Sequence, residues 1–195
     1  MPWSMLLMPF LHDFHGEIKF LHVIRDGRDM AFSANRNQLR VLEGAVLSAA
    51  EVADPRLELK AMTFWARTNM LVADYAETHL ANDYMRIRYE DLGSDPYSVI
   101  WRIIGFVGGD LSNIARAVEE VRPSRAMGRW RQADEAYLLE LVAAGRAALV
   151  RFGYVSDPTA IWAKGASGVA RLRKEVRKSY RQVTRLSRRF RHTGT

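Results

Sequence analysis

The chain contains no cysteine. Disulfides, thiolate metal sites and cysteine nucleophiles are therefore excluded, and a reducing compartment fits without being required. No apolar run approaches the roughly 20 residues that a membrane-spanning helix needs. No internal repeat and no metal-ligand cluster is visible in the pattern. The opening stretch MPWSMLLMPFLHDFHG is apolar but lacks a basic leading region and a small-residue cleavage site. It is expected to be an amphipathic helix rather than a signal peptide. What the chain does have is length for one domain with a real core, at 195 residues and 48% hydrophobic content.

Charge is unevenly spread. The net +7 suggests nucleic acid at first sight. Yet residues 171–192 hold ten Lys/Arg and one Glu, leaving 19 basic and 21 acidic side chains for all the rest. The body is near neutral, so a nucleic-acid partner is not expected for it. In the tail, Leu172, Val176, Tyr180, Val183, Leu186 and Phe190 recur every three or four positions among Arg and Lys. That is a basic amphipathic helix, suited to an anionic membrane surface through residues 169–190, to an acidic partner or to nucleic acid; packing on the body or a solvated, fraying helix are the bland alternatives. The expected division is a domain over 1–158 and a linker plus basic helix over 159–195, in a cytoplasmic protein held peripherally at a membrane if the tail binds one.

Along the body, Leu6, Leu7, Phe10, Leu11 and Phe14 share helical spacing over 3–14, and Gly16 ends that helix. Ile18–Ile24 reads as a buried parallel strand. A tight turn at Asp26-Gly27 leads to a helix over Asp29–Arg40. Residues 41–56 are ambiguous. Leu57–Leu80 is a long amphipathic helix and Tyr84–Tyr89 an alternating strand. Asp95-Pro96 starts a helix that ends before Gly108-Gly109. A short helix over Leu111–Val121, an arginine-rich loop over 122–133, and a helix over Ala136–Phe152 ended by Gly153 complete the pattern. Strands separated by long helices predict an α/β fold with a mainly parallel sheet and flanking helices.

Arg25-Asp26-Gly27-Arg28-Asp29 sits where a buried strand ends and a helix opens, the place where open α/β sheets bind ligands. Two arginines there suit a phosphate, and Ser33 adds a hydroxyl one helical turn past Asp29. An alternative stands beside it: both arginines pair with Asp26 and Asp29 and merely stabilise the turn. His22, inside the strand, is expected to be structural rather than catalytic.

The run KFLHVIRDGRDMAFS resembles the signature of the sulfotransferase superfamily, bacterial type, with its Ser eight residues after the first Arg. The resemblance implies that Arg25 and Ser33 bind the 3′-phosphate of the sulfate donor PAPS, 3′-phosphoadenosine 5′-phosphosulfate. Arg88-Tyr89-Glu90-Asp91-Leu92 is similar to the family's YEDL segment, which implies Tyr89 near the adenine. Ser124–Arg131 (SRAMGRWR) is similar to the family's late loop over the 3′-phosphate, implying contacts from Ser124 and Arg125 with Trp130 as anchor. Bland readings stand beside both: a core tyrosine, and a basic surface loop. The resemblance covers roughly residues 10–155. It implies a P-loop-NTPase-like architecture, PAPS as co-substrate without a metal, and sulfuryl transfer to a hydroxyl or amine of a small-molecule, lipid or glycan acceptor.

The family's first strand and its P-loop-like cradle for the 5′-phosphosulfate have no counterpart in this sequence. The chain is therefore expected to be an N-terminally truncated member, weak or inactive as it stands, and no catalytic residue is assigned. The alternative is a non-catalytic module that binds a nucleotide or an anionic surface. A kinase reading of His22-Val23-Ile24-Arg25-Asp26 fails: His-Arg-Asp is not contiguous, and Ala31 stands where the metal-binding Asn belongs.

Overall fold

The computed structural model describes residues 4–122, 124 and 127–155. The boundary expected at 158, the basic tail and Arg125 lie outside them. The first helix, α1 (Ser4–His15), ends at Gly16, whose N–H donates to the His12 carbonyl. Its buried face is not the expected one. Met8 is buried with Val72, Ala76 and Leu80, while Phe10 and Phe14 are 62% and 72% exposed and stack on each other at 5.9 Å. Apolar residues lie on nearly every side of α1, so spacing alone cannot choose a face; packing on the neighbouring long helix does.

Strand β1 (Phe20–Ile24) pairs in parallel with β2 (Tyr84–Arg88), in register Phe20↔Tyr84 through Ile24↔Arg88. These two strands are the only sheet among the described residues, most of which are helical. The crossover between them carries α2 (Gly27–Ala31), α3 (Asn37–Val46), α4 (Ala49–Val52) and α5 (Leu57–His79). The single helix expected over Asp29–Arg40 is thus two helices. The Ser33 hydroxyl accepts from the Asn35 N–H, and Asn35 Oδ1 accepts from the Asn37 N–H. Short polar side chains capture backbone donors that a continuous helix would need, and the helix breaks.

The 23-residue α5 is the spine of the fold. Met62, Phe64, Trp65 and Ala73 of α5 form one core with Leu141, Ala148 and Leu149 of α9 (Glu135–Arg151). The two helices approach closely at Gly145, where a Cβ would lie 2.0 Å from the Met62 methyl. Arg67, 6% exposed, donates to both Glu51 carboxylate oxygens at 2.5 and 2.7 Å and to the Val46 carbonyl. Glu51 also closes a capping box with Ser48, so one ion pair fixes the start of α4 against α5. Burial alone would raise the Glu51 carboxyl, but hydrogen bonds from Arg67 and Ser48 outweigh it and hold the group below its ordinary value.

After β2 come α6 (Tyr89–Ser94), α7 (Pro96–Val107) and α8 (Ile114–Glu119), so Tyr89 opens a helix instead of ending a strand. Asp95 caps α7 as expected, accepting from the Ser98 N–H. The helix expected over Leu111–Val121 divides into a 3-10 turn (Leu111–Asn113) and α8. The loop before α9 contains a second such turn, Arg129–Gln132. No helix of the described residues is long and apolar enough to cross a membrane.

His22 is buried within β1, in keeping with a structural role. The Asn69 amide donates to the Trp65 carbonyl, which turns Asn69 Oδ1 toward His22 Nε2 at 2.9 Å. Nε2 therefore carries the proton, and Nδ1 accepts from the Tyr84 hydroxyl at 2.9 Å. Burial is the main cause that pushes the imidazole down from 6.5 to about 4, with the Asn69 hydrogen bond opposing. A folded value below the unfolded one means stability is full above 6.5 and is lost as pH falls toward 4. The total is on the order of 3 kcal/mol. Urea denaturation should show stability dropping from pH 6.5 to about 5, above the range where carboxylates titrate. His22→Gln should flatten that slope, and an unchanged slope would remove His22 as its source.

Candidate anion-binding site

The chain leaves the sheet at Ile24, and the next residues form a turn whose polar groups are met by side chains from elsewhere. The Tyr154 hydroxyl reaches the Ile24 carbonyl at 2.8 Å. The Trp65 indole N–H donates to the Arg25 carbonyl at 3.0 Å. The Asp26 N–H donates to Glu90 Oε1 at 2.9 Å. Asp26 itself caps α2, accepting from the Arg28 N–H. Gly27 is forced by contact, because a Cβ there would sit 2.3 Å from the Trp65 ring.

The two arginines of the turn have different fates. The Arg28 guanidinium grips the Asp26 carboxylate, with Nε at 2.9 Å and the terminal nitrogen at 2.7 Å, and also donates to the Tyr154 carbonyl. It lies over the Trp130 ring at 3.9 Å. For Arg28 the turn-stabilising reading is the one the structure shows. Arg25 has no such partner: its Nε is buried without a hydrogen bond, and no carboxylate among the described residues pairs with it. Its guanidinium rests over the Tyr89 ring at 5.4 Å.

Asp29, 4% exposed, accepts from the Gly128 N–H at 2.8 Å through one oxygen, while its other oxygen has no partner. That bond and the Arg28–Trp130 stack latch the arginine-rich loop onto α2. A cleft of about 190 Å³ opens between α6 and this loop, lined by Tyr89, Leu92, Gly93, Val121, Arg122 and Met127.

Of the five candidate residues, Arg25 and Tyr89 are brought together. Ser33 stands half-buried just past α2, its hydroxyl engaged by Asn35 and making no bond to Arg25. Ser124 lies in the loop, and its carbonyl accepts from Met127, which lines the cleft. Arg125 is outside the described residues. Trp65, Glu90 and Tyr154 were not singled out by sequence as parts of this turn. Glu90 stood in the YEDL segment and Tyr154 just after the Gly153 stop, but their hydrogen bonds span 64 and 130 residues.

A parallel strand, a pinned turn whose Arg25 pairs with no carboxylate among the described residues, and a helix opening beside it form an α/β strand–turn–helix unit, the place where open sheets of this class bind ligands. Residues 1–113, more than half of the chain, match the family model described as the sulfotransferase family, and the chain belongs to that family. No curated protein and no solved structure matches it.

The latch makes a prediction about the loop. Asp29→Ala removes the acceptor of the Gly128 N–H, and Trp130→Ala removes the stack on Arg28. Either change should speed tryptic cleavage within 122–132 roughly fivefold, the equivalent of about 1 kcal/mol of lost contact, with the helical circular dichroism unchanged. Cleavage at the wild-type rate in both variants would dismiss the latch.

Proposed function

We propose that this chain binds PAPS by its 3′-phosphoadenosine end and serves sulfuryl transfer to a hydroxyl or amine acceptor. The observation that carries the reading is the unpaired Arg25 guanidinium, pinned through its backbone and facing Tyr89, at the end of a parallel strand. A half-buried guanidinium without a counter-ion among the described residues favours a bound anion, and a phosphate offers it bidentate geometry. Tyr89 and the apolar side chains of Leu92, Val121 and Met127 offer a nucleobase a flat, dry surface. Ser33, Ser124 and Arg125 complete the proposed phosphate contacts from the rim.

Family membership supports the reaction class: an acceptor oxygen or nitrogen bonds to sulfur as the bridging phosphate oxygen departs, and the acceptor's proton is released. Arg25, Ser33, Tyr89, Ser124 and Arg125 would serve the donor's 3′ end, and no residue is assigned to its 5′-phosphosulfate. The strand–turn–helix unit with its crossover to a parallel β2 also supports a P-loop-like architecture as the frame of the site. The basic residues 169–190 are proposed to rest on an anionic surface.

The test is a comparison of two ligands. Adenosine 3′,5′-bisphosphate carries the 3′-phosphate and 5′-AMP does not. By calorimetry the first should bind tighter. Arg25→Ala should weaken the bisphosphate by roughly 10–100-fold, the cost of losing charge-assisted hydrogen bonds, and leave 5′-AMP within about twofold. Equal affinity of the wild-type chain for both ligands would refute the reading.

A further inference from the structure

Arg25 is useful to an anion only if its backbone is held, and that holding traces to one unlikely pair. Tyr154 lies past the end of α9, and Glu90 lies in the first turn of α6. The Tyr154 hydroxyl stands 2.8 Å from the Ile24 carbonyl and 2.9 Å from Glu90 Oε2. Glu90 Oε1 receives the Asp26 N–H at 2.9 Å. The residue before Arg25 and the residue after it are thus bound to the two members of one hydroxyl–carboxylate pair. The Tyr154 carbonyl also receives Arg28, which keeps the second arginine directed at Asp26 and Trp130, away from the Arg25 position.

We infer that Glu90 and Tyr154 act together as positioning residues for the anion-binding Arg25. The inference rests on the donor-binding reading above and extends the site to residues that touch no ligand in it. Burial first, then the Glu90 charge, pushes the Tyr154 hydroxyl far up, so it keeps its proton and remains a hydrogen-bond donor at physiological pH. Its one proton serves two acceptors, which keeps it centred between β1 and α6. The model match to the family stops at residue 113, well before Tyr154.

The geometry also separates hydrogen bonding from charge. In Glu90→Gln, the amide oxygen can still take the Asp26 N–H while the amide nitrogen faces the Tyr154 oxygen. In Glu90→Ala neither bond exists. In Tyr154→Phe the ring remains and only the hydroxyl is lost.

The experiment measures the ratio of affinities for adenosine 3′,5′-bisphosphate and 5′-AMP in the full chain, by calorimetry. Tyr154→Phe and Glu90→Ala should each cut that ratio by about tenfold, because Arg25 loses its aim while the cleft for the base persists. Glu90→Gln should keep the wild-type ratio within about threefold. General loosening of the fold would weaken both ligands alike and leave the ratio unchanged. A wild-type ratio in Glu90→Ala overturns the inference, as does a Glu90→Gln variant as impaired as Glu90→Ala. If Tyr154→Phe does not fold, the two Glu90 variants decide alone. A wild-type chain that fails to distinguish the ligands refutes the 3′-phosphate reading itself, whatever the variants do.

Discussion

The backbone at the carboxyl end of β1 cannot be left to itself. As the chain leaves the sheet, the Ile24 and Arg25 carbonyls and the Asp26 N–H lose their ladder partners in a place where Ile24 is 1% and Asp26 6% exposed. Each such group, if unmet, costs about 1–3 kcal/mol. Three side chains meet them, one each from α5, α6 and the segment after α9. Those elements are therefore tied to one point by directional bonds, and α5 and Tyr154 also meet in the apolar core. The indole of Trp65 shows both roles at once: its ring lies under Gly27 and against Phe152 and Tyr154, and its N–H holds the turn.

That arrangement decides the electrostatics of the site. Four charged residues lie within five positions, two of each sign. If they paired symmetrically the turn would be inert toward anions. They do not. Asp26 is held by its role as a helix cap, and its geometry suits Arg28, not Arg25. Asp29 spends one oxygen on the Gly128 N–H. Arg28 gains a flat partner in Trp130, a contact worth about 0.5–2 kcal/mol depending on its desolvation. The remaining arginine has a tyrosine face beside it and no carboxylate of the described residues bound to it. The proposed preference for an anion thus rests on how the neighbours are occupied, more than on the number of basic residues.

Features that are local in sequence were legible before the fold was known. β1, α5 and α9 carry their own periodicity and their own stops, and Asp95 caps α7 as its Asp-Pro dipeptide suggests. The strand-to-helix turn at residues 25–29 was legible as a location. Which arginine it would leave unpaired was not, because that depends on Trp130, Glu90 and Tyr154, distant along the chain. The break between α2 and α3 was hidden in Ser33 and Asn35, whose side chains compete with the helix only when both act in sequence. The face of α1 was hidden because an all-round apolar helix has no preferred direction until α5 supplies one.

The loop before α9 and the anion turn are mechanically one unit. Asp29 and Arg28 are adjacent, and each holds one residue of the loop, Gly128 by its N–H and Trp130 by its ring. Met127, next to Gly128, lines the cleft opposite Tyr89, and Tyr89 is the residue over which Arg25 rests. A displacement of the turn would therefore move both walls of the cleft and the arginine at its edge together. The reverse also holds: a ligand that seats against Tyr89 and Arg25 presses on groups that already fix the loop. Affinity gained there need not supply the entropy of ordering Gly128 and Trp130, since those contacts form without it. The turn is held in place before any ligand arrives because the same short segment serves as helix start, loop anchor and proposed anion seat, with Tyr154 and Glu90 bonded to its backbone.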